Sequence, residues 1–473
     1  MSALLIRRWV VSALLMGAAG CANFSADGGM GDVAQRVGAE IGVEPAKIAT
    51  DADEARVRDR VAAYLANPLT ADVAVQIAVI NNRGLQARFN ELGVSEAQFV
   101  EAGLPANPTL AYMRLSGDGL VVMETHISVE LLSFLTVPIR RNFAERQFEA
   151  AKYRAVEATF RLAADTRRAY WRALAAQHVA TYLEQALASA DAAAELTRRL
   201  AETGGATRLE QARAIALYRE VANQVRRARL DAQLTREALT VALGLWGGQT
   251  TYRLPTVLPD LPAALQNVEM LEAEAVRRRV DLIAARQDLD ATARALGLTR
   301  ATRFISVLEL SGIREVERHD ETTRTQGFEI AIQIPIFDLG EVNTRRAQET
   351  YMEAVNRFAD LAIKVRSDAR AAFYSYNTTY DIAREYRDEI VPLRRVIDEE
   401  VLFRYNGMLV DVFQLLTTAR ESIATNVATI QAIRDFYIAE TDFRAAVIGG
   451  GGAPSAGGLN IEAVAAGGGE AGH

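Results

Sequence analysis

The sequence predicts an α+β membrane protein built mainly from long α-helices, with four β-strands per chain that several copies must complete into one barrel. Three observations carry this expectation. Two stretches read as helices of about 65 residues each, at 1.5 Å rise roughly 98 Å long, far beyond the three or four turns usual in compact domains. The whole plan occurs twice along the chain. Each copy is interrupted by a pair of amphipathic strands, in a chain that opens with an export signal.

Taken in chain order, Arg7 and Arg8 precede an apolar run over 9–19. That run is too short to span a bilayer and has the length of a secretory h-region. It ends in Ala18-Ala19-Gly20-Cys21, and Cys21 is the only cysteine. The pattern resembles a bacterial lipobox, with Ala18 where Leu is usual, so lipidation at Cys21 is expected. An ordinary signal peptide with an incidental thiol is the other reading. Residues 1–20 are then the signal, and 21–69 a lipidated linker arm with short helical patches such as 53–65. Ala22 permits outer-membrane sorting. Beyond the signal no run of about 18 apolar residues remains, so any membrane crossing must use β-strands.

Residues 70–265 and 266–448 read as two structural repeats. The segment His126-Ile127-Ser128-Val129-Glu130-Leu131 matches Glu329-Ile330-Ala331-Ile332-Gln333-Ile334 at an offset of 203 (329 less 126). The same offset places Arg167 on Arg370, Tyr170 on Phe373, Trp171 on Tyr374, Gly204 on Gly407 and Gln211 on Gln414. Earlier in each repeat Leu115-Ser116-Gly117 matches Leu310-Ser311-Gly312 at 195 (310 less 115). In the first repeat a helix is expected over 70–103, stopped by Pro105 and Pro108. A strand over 109–116, a turn at Gly117-Asp118-Gly119, a strand over 124–134 and a helix over 138–203 follow. The second repeat should carry a helix over 271–302, a strand over 304–314, a charged loop over 315–324, a strand over 328–337 and a helix over 340–405. Heptad-like seams, Leu183, Leu187, Ala190 and Ala194 in one long helix and Ile390, Leu393, Ile397 and Val401 in the other, suit side-by-side packing. Residues 449–473 form a Gly-rich tail expected to be disordered.

Composition narrows the function. The chain of 473 residues holds 53 basic and 60 acidic residues, intermixed, which gives no concentrated basic face for nucleic acid. Its four histidines (His126, His178, His319 and His473) are scattered, no spacing resembles a metal site, and no cofactor is expected. No phosphate loop, nucleophile elbow or His/Cys pair appears, so the protein is not expected to be an enzyme.

In the last strand Phe328, Ile330, Ile332, Ile334 and Ile336 alternate with Glu329, Ala331 and Gln333. Alternation alone fits a soluble sandwich or a membrane barrel; export and four strands per chain favour the barrel. Four strands cannot close one, and open edges are not tolerated in lipid, so an oligomer is required. His126, Ser128, Glu130, Glu329 and Gln333 would face its lumen, or else simply be solvated.

Asn81-Asn82-Arg83-Gly84-Leu85-Gln86-Ala87 followed by Ala102-Gly103-Leu104-Pro105-Ala106-Asn107-Pro108-Thr109-Leu110 resembles the opening of TolC-family outer-membrane efflux proteins. Ile334-Pro335-Ile336-Phe337-Asp338-Leu339-Gly340 resembles that family's exit from its last strand. Arg279-Val280-Asp281-Leu282-Ile283-Ala284-Ala285 is similar to a further family motif, with Val280 in place of Pro. Arg404-Tyr405-Asn406-Gly407-Met408-Leu409-Val410-Asp411-Val412 resembles its periplasmic-tip hairpin. The match covers about residues 70–447 and is nearest the lipoprotein branch serving resistance-nodulation-division pumps. It implies a homotrimer with a twelve-stranded outer-membrane barrel in a Gram-negative cell and a helical tunnel through the periplasm. It further implies docking to a periplasmic membrane-fusion adaptor and an inner-membrane pump, and passive exit of drugs, small toxic solutes or heavy-metal ions. Asp411 would line the tunnel entrance as an anionic ring or serve as a helix N-cap, with Tyr405 and Arg208 as further gate contacts. Gly204, Gly205 and Gly407 would form tight hairpins with positive φ, at which the adaptor docks. A duct for type I protein secretion and a periplasmic coiled-coil scaffold without a channel are the competing readings.

Overall fold

Helix starts are written locally. Thr50, Thr70 and Thr207 sit in extended backbone, and each accepts a hydrogen bond from the N–H three residues on; Asp53 and Glu210 return the bond to complete capping boxes. The computed structural model describes residues 23–265, 270–305 and 307–451. The signal segment, Cys21 and the tail from residue 452 lie outside these.

The helices are α1 Met30–Ile41, α2 Asp51–Leu65, α3 Ala71–Asn81, α4 Arg83–Ala102, α5 Leu131–Glu202, α6 Arg208–Leu243, α7 Leu271–Arg278 and α8 Val280–Ala301. After them come α9 Glu341–Glu385, α10 Val391–Asn406 and α11 Val412–Ile448. The strands are β1 Thr109–Gly117, β2 Leu120–Glu130, β3 Val307–Arg318 and β4 Thr322–Gln333. The chain divides into two compact units. Among the described residues one gathers 23–33, Arg88–Ala155 and Asp281–Ala362; the other gathers Ala34–Ala87, Val156–Val280 and 363–451.

The first unit holds a four-stranded antiparallel sheet in the order β1-β2-β3-β4. Asp118 and Gly119, at φ 49 and 80, join β1 to β2 in a two-residue turn whose twist matches the strands. Several expected bounds move. The second strand ends at Glu130, not 134, because Leu131 already opens α5. Pro138 therefore lies inside that helix, and Arg140 donates to the carbonyls of Ser133 (3.2 Å) and Leu104 (3.0 Å) nearby. The charged segment 315–324 is mostly strand: only 319–321 form the turn, because its charges keep a period of two and need not leave the ladder. β4 stops at Gln333, ahead of Pro335, which has no N–H to give, so Ile334 and Ile336 fall outside the strand.

In both repeats the helix before the sheet is broken once. Asn82 (φ −68, ψ 118) and Arg279 (φ −61, ψ 119) adopt the same extended backbone, so the expected helices 70–103 and 271–302 are each two helices. The duplication extends to an ion pair: Arg167 meets Asp72 at 2.6 Å, and Arg370 meets Glu272 at 2.9 Å. Each acid is the second residue of its helix, and the two arginines are the pair matched in the sequence.

Among its described residues the second unit packs around several apolar clusters. One joins Leu69, Ile77 and Ile80 to Leu174, Leu239 and Leu243. Another is aromatic, with Tyr376 stacked on Phe443 at 5.1 Å and Trp171 on Tyr437 at 4.3 Å. The first heptad-like seam is buried where expected, at Leu183, Ala190 and Ala194, whereas Leu393 and Ile397 of the second are exposed. The second long helix carries a π-turn over Tyr386–Ile390, just before Pro392. A π-turn absorbs one extra residue. Consistently, the repeat offset of 203 seen before it becomes 204 beyond it (412 less 208, the starts of α11 and α6).

Candidate functional site

The two helical hairpins of the second unit are built alike. Residues 203–207 link α5 to α6, and 407–411 link α10 to α11. In the first, Gly205 N donates to Leu200 O (2.7 Å) and Gly204 N to Ala201 O (3.3 Å). In the second, Leu409 N donates to Arg404 O (2.9 Å) and Met408 N to Tyr405 O (2.9 Å). These are the paired bonds of a Schellman ending. The left-handed residue is Gly204 (φ 79) in one hairpin and Met408 (φ 59) in the other. Gly407 has φ −80, and Gly205 does not have positive φ either, so the expected Gly204–Gly407 equivalence is corrected. The π-turn causes this, because the added residue shifts the second hairpin by one.

Asp411 caps α11, its Oδ1 accepting from Gln414 N at 2.9 Å, the place Thr207 takes in the first repeat. It also lies close enough to Glu210 to oppose that group's ionisation. Glu210 is nevertheless held below the ordinary carboxylate range, first by the Thr207 backbone N–H and then by its hydroxyl. The stability that the Glu210 carboxylate lends to this cap is therefore fully present at neutral pH and lost as pH falls through the folded value, while the Thr207 hydroxyl continues to accept from Glu210 N. Sequence reasoning missed the contacts that tie the hairpins together. Arg213 lies over the Phe413 ring at 4.4 Å, and Arg420 pairs with Glu220 at 2.8 Å. Beneath them Ala194, Ala214, Leu217, Val221 and Leu416 form a small core. Arg208 is exposed and Tyr405 half-buried, and neither side chain makes an ion pair or hydrogen bond among the described residues. A Phe–Arg pair could not be found by motif, because its members are 200 positions apart (413 less 213).

The N-cap makes a specific prediction. Asp411→Asn keeps a capping oxygen and removes the charge, whereas Asp411→Ala removes both and costs about 1 kcal/mol of local helix stability. If three Asp411 carboxylates restrict ion passage, both variants should raise single-channel conductance or weaken block by divalent cations in planar bilayers. A change with Ala but none with Asn would assign Asp411 to capping only.

In the first unit the strand register puts all five expected lumen residues on one face. Glu130 pairs with Glu309, Ser128 with Ser311, which in turn pairs with Glu329, and His126 with Ile313. Glu124, Glu309, Glu315 and Glu317 share that face and were not singled out from the sequence. His126 Nε2 and Glu124 Oε1 are 2.7 Å apart. The opposite face carries Leu110, Tyr112, Ile127, Phe328, Ile330 and Ile332, each more than half exposed. Among the described residues no group of three His, Cys, Asp or Glu could hold a metal ion.

The motif residues serve as joints. Asn81 Nδ2 donates to Leu243 O and Gly244 O (3.0 and 2.8 Å), and Asn82 Nδ2 donates to Ala242 O (3.0 Å). Both amides thereby satisfy the orphan carbonyls at the end of α6. Arg279 is buried and pairs with Asp368 at 3.4 Å. Gly340, at φ 71, lets the carbonyl of Arg303 approach where a side chain would stand. Gly450, at φ 83, does the same against the backbone of Phe160 and Arg161, so the first glycines of the tail pack on α5.

No family model matches the chain. The curated protein CzcC of Cupriavidus metallidurans, a cobalt-zinc-cadmium resistance protein, is 24% identical and spans 75% of this chain and 89% of its own. A membrane protein of Pseudomonas aeruginosa superposes with a TM-score of 0.69 at 21% identity, over 80% of this chain and 93% of that one. CusC, a transmembrane channel former, gives 0.68 at 16%, covering 80% and 92%. The Campylobacter jejuni CmeC outer membrane channel also gives 0.68, at 18%, covering 80% and 86%.

Proposed function

We propose that this chain, which has the fold of the outer-membrane efflux channels, is itself an outer-membrane exit duct: a homotrimer that conducts solutes passively and performs no catalysis. One observation carries the reading. The sheet has two unpaired edge strands and a broad exposed apolar face, a surface that water disfavours and that closure among copies within lipid would satisfy. Three copies would make twelve strands, an even number within the range of membrane barrels. The acidic face then lines the lumen, and the exposed Leu393 and Ile397 of the second seam meet a neighbouring copy.

Export and acylation at Cys21 would place the protein at the outer membrane of a Gram-negative cell. The hairpins at 203–207 and 407–411 are the surfaces offered to a periplasmic adaptor, itself bound to an inner-membrane pump that supplies the energy. Likeness to a cobalt-zinc-cadmium resistance protein and the carboxylates of the lumen face favour cations among the exported solutes. A scaffold without a channel would have no use for an exposed apolar sheet.

The test is purification of the full chain in detergent, with mass determination and reconstitution into planar bilayers. A trimer with steady ionic conductance is expected. A water-soluble monomer that leaves bilayers silent would refute the reading.

A further inference from the structure

The charges of the sheet are sorted completely by face. The register places Glu124, Glu130, Glu309, Glu315, Glu317 and Glu329 together, with no arginine among them. Every arginine of the four strands, Arg114, Arg314, Arg318 and Arg324, lies on the opposite, apolar face, with no acid among them. All four are exposed, and none has an ion-pair or hydrogen-bond partner among the described residues. Where lipid covers the apolar face beside them, four unpaired guanidinium groups become costly unless an anion meets them.

Their height along the strands identifies that anion. The apolar face is centred on the row Val129–Leu310–Ile330. Tyr112 shares a row with Arg314; Arg114 lies in the next row with Arg324, and Arg318 in the last before the turns. From Ile330 to Arg324 is six residues, about 20 Å along a strand and about 15 Å along the normal of a barrel tilted near 40°. Half of a ~25 Å apolar band is about 12 Å. Arg114, Arg324 and Arg318 therefore stand at or beyond the rim of the band on the hairpin side, while Arg314, four residues from Leu310 and about 10 Å along the normal, lies just inside that rim in the row of Tyr112.

We propose that this arginine belt is a binding site for phosphorylated headgroups of the outer leaflet, which clamp the barrel at a fixed depth in the membrane. The inference rests on the barrel reading above, which makes the apolar face the lipid-facing one. Guanidinium groups bind phosphate oxygens in pairs of parallel hydrogen bonds, and the neighbouring strands β3 and β4, ~4.8 Å apart, can offer Arg324 together with Arg314 or Arg318 to one headgroup, with Arg114 at the same height on β1.

The experiment uses the full chain in detergent, titrated with bisphosphorylated lipid A and with its dephosphorylated form, binding being read by native mass spectrometry. The native protein should prefer the bisphosphorylated lipid. The combined variant R114Q, R314Q, R318Q and R324Q should bind it at least about tenfold more weakly while holding the dephosphorylated lipid as before. Replacing the same four residues by lysine should preserve most of the preference, since charge is kept. Equal binding of the two lipids by the native chain, or equal binding by native and glutamine forms, would overturn the proposal. So would displacement of the lipid by inorganic phosphate at matching concentration, which would indicate a free-anion site. Mass and bilayer conductance are read on the same preparations. A conducting trimer without headgroup preference overturns this inference alone; a silent monomer overturns the duct reading and this one with it.

Discussion

Ile330→Arg should abolish assembly in the outer membrane while leaving the helical unit folded. Ile330 is more than half exposed in the single chain and pairs with Leu310 across β3 and β4, at the centre of the apolar band. A guanidinium at that depth costs about 2–4 kcal/mol per copy, and a trimer carries the cost three times. The sum rivals the stability of a whole domain. The expected result is loss of the trimer from outer-membrane fractions with helical circular dichroism retained. Glu329→Arg, one residue away but on the other face, puts the same charge where water is expected and should still assemble. If both variants assemble equally, the faces have been assigned wrongly and the barrel reading fails.

Gly340→Ala should be the most damaging single-carbon change in the sheet unit. A Cβ there would lie 2.2 Å from Arg303 O, and the backbone has φ 71. The left-handed conformation alone costs a non-glycine residue about 1–2 kcal/mol. Relieving the collision adds about 1–3 kcal/mol, because backbone rather than a flexible side chain must move. Asp338 Oδ1 accepts from Gly340 N at 3.1 Å, and Arg303 Nε donates to Leu339 O at 3.3 Å, so movement would also strain these bonds. A lower unfolding midpoint in detergent and less trimer are expected. Gly297→Ala provides the contrast: its Cβ would meet nothing within 4 Å. Towards the C-terminal end of α8, the change should be neutral or stabilising by up to about 1 kcal/mol. Equal midpoints for the two alanine variants would show that the turn at Gly340 is not a tight joint.

The link from sequence to structure is clearest where periodicity and duplication speak. Strand alternation, long helices and the matched arginines at 167 and 370 needed no coordinates, because each is a local repeat in the order of residues. The Asn81-Asn82 and Asp338-Leu339-Gly340 motifs were visible too, although their work was not. It consists of satisfying the end of α6 and of admitting the Arg303 carbonyl, both acts of distant chain segments.

By itself, then, the order of residues determined the class of fold, the twofold plan and the alternation that separates the two faces of the sheet. Only the tertiary structure decided the register, which gathers six glutamates on one face and four arginines on the other. It also decided that Met408, and not Gly407, takes the left-handed turn, after a one-residue π-turn had shifted the second hairpin. The physical reason is range. Side-chain direction along one strand or helix follows from spacing, but which strands align, and where an extra residue is absorbed, depends on pairing and packing between segments far apart in the chain.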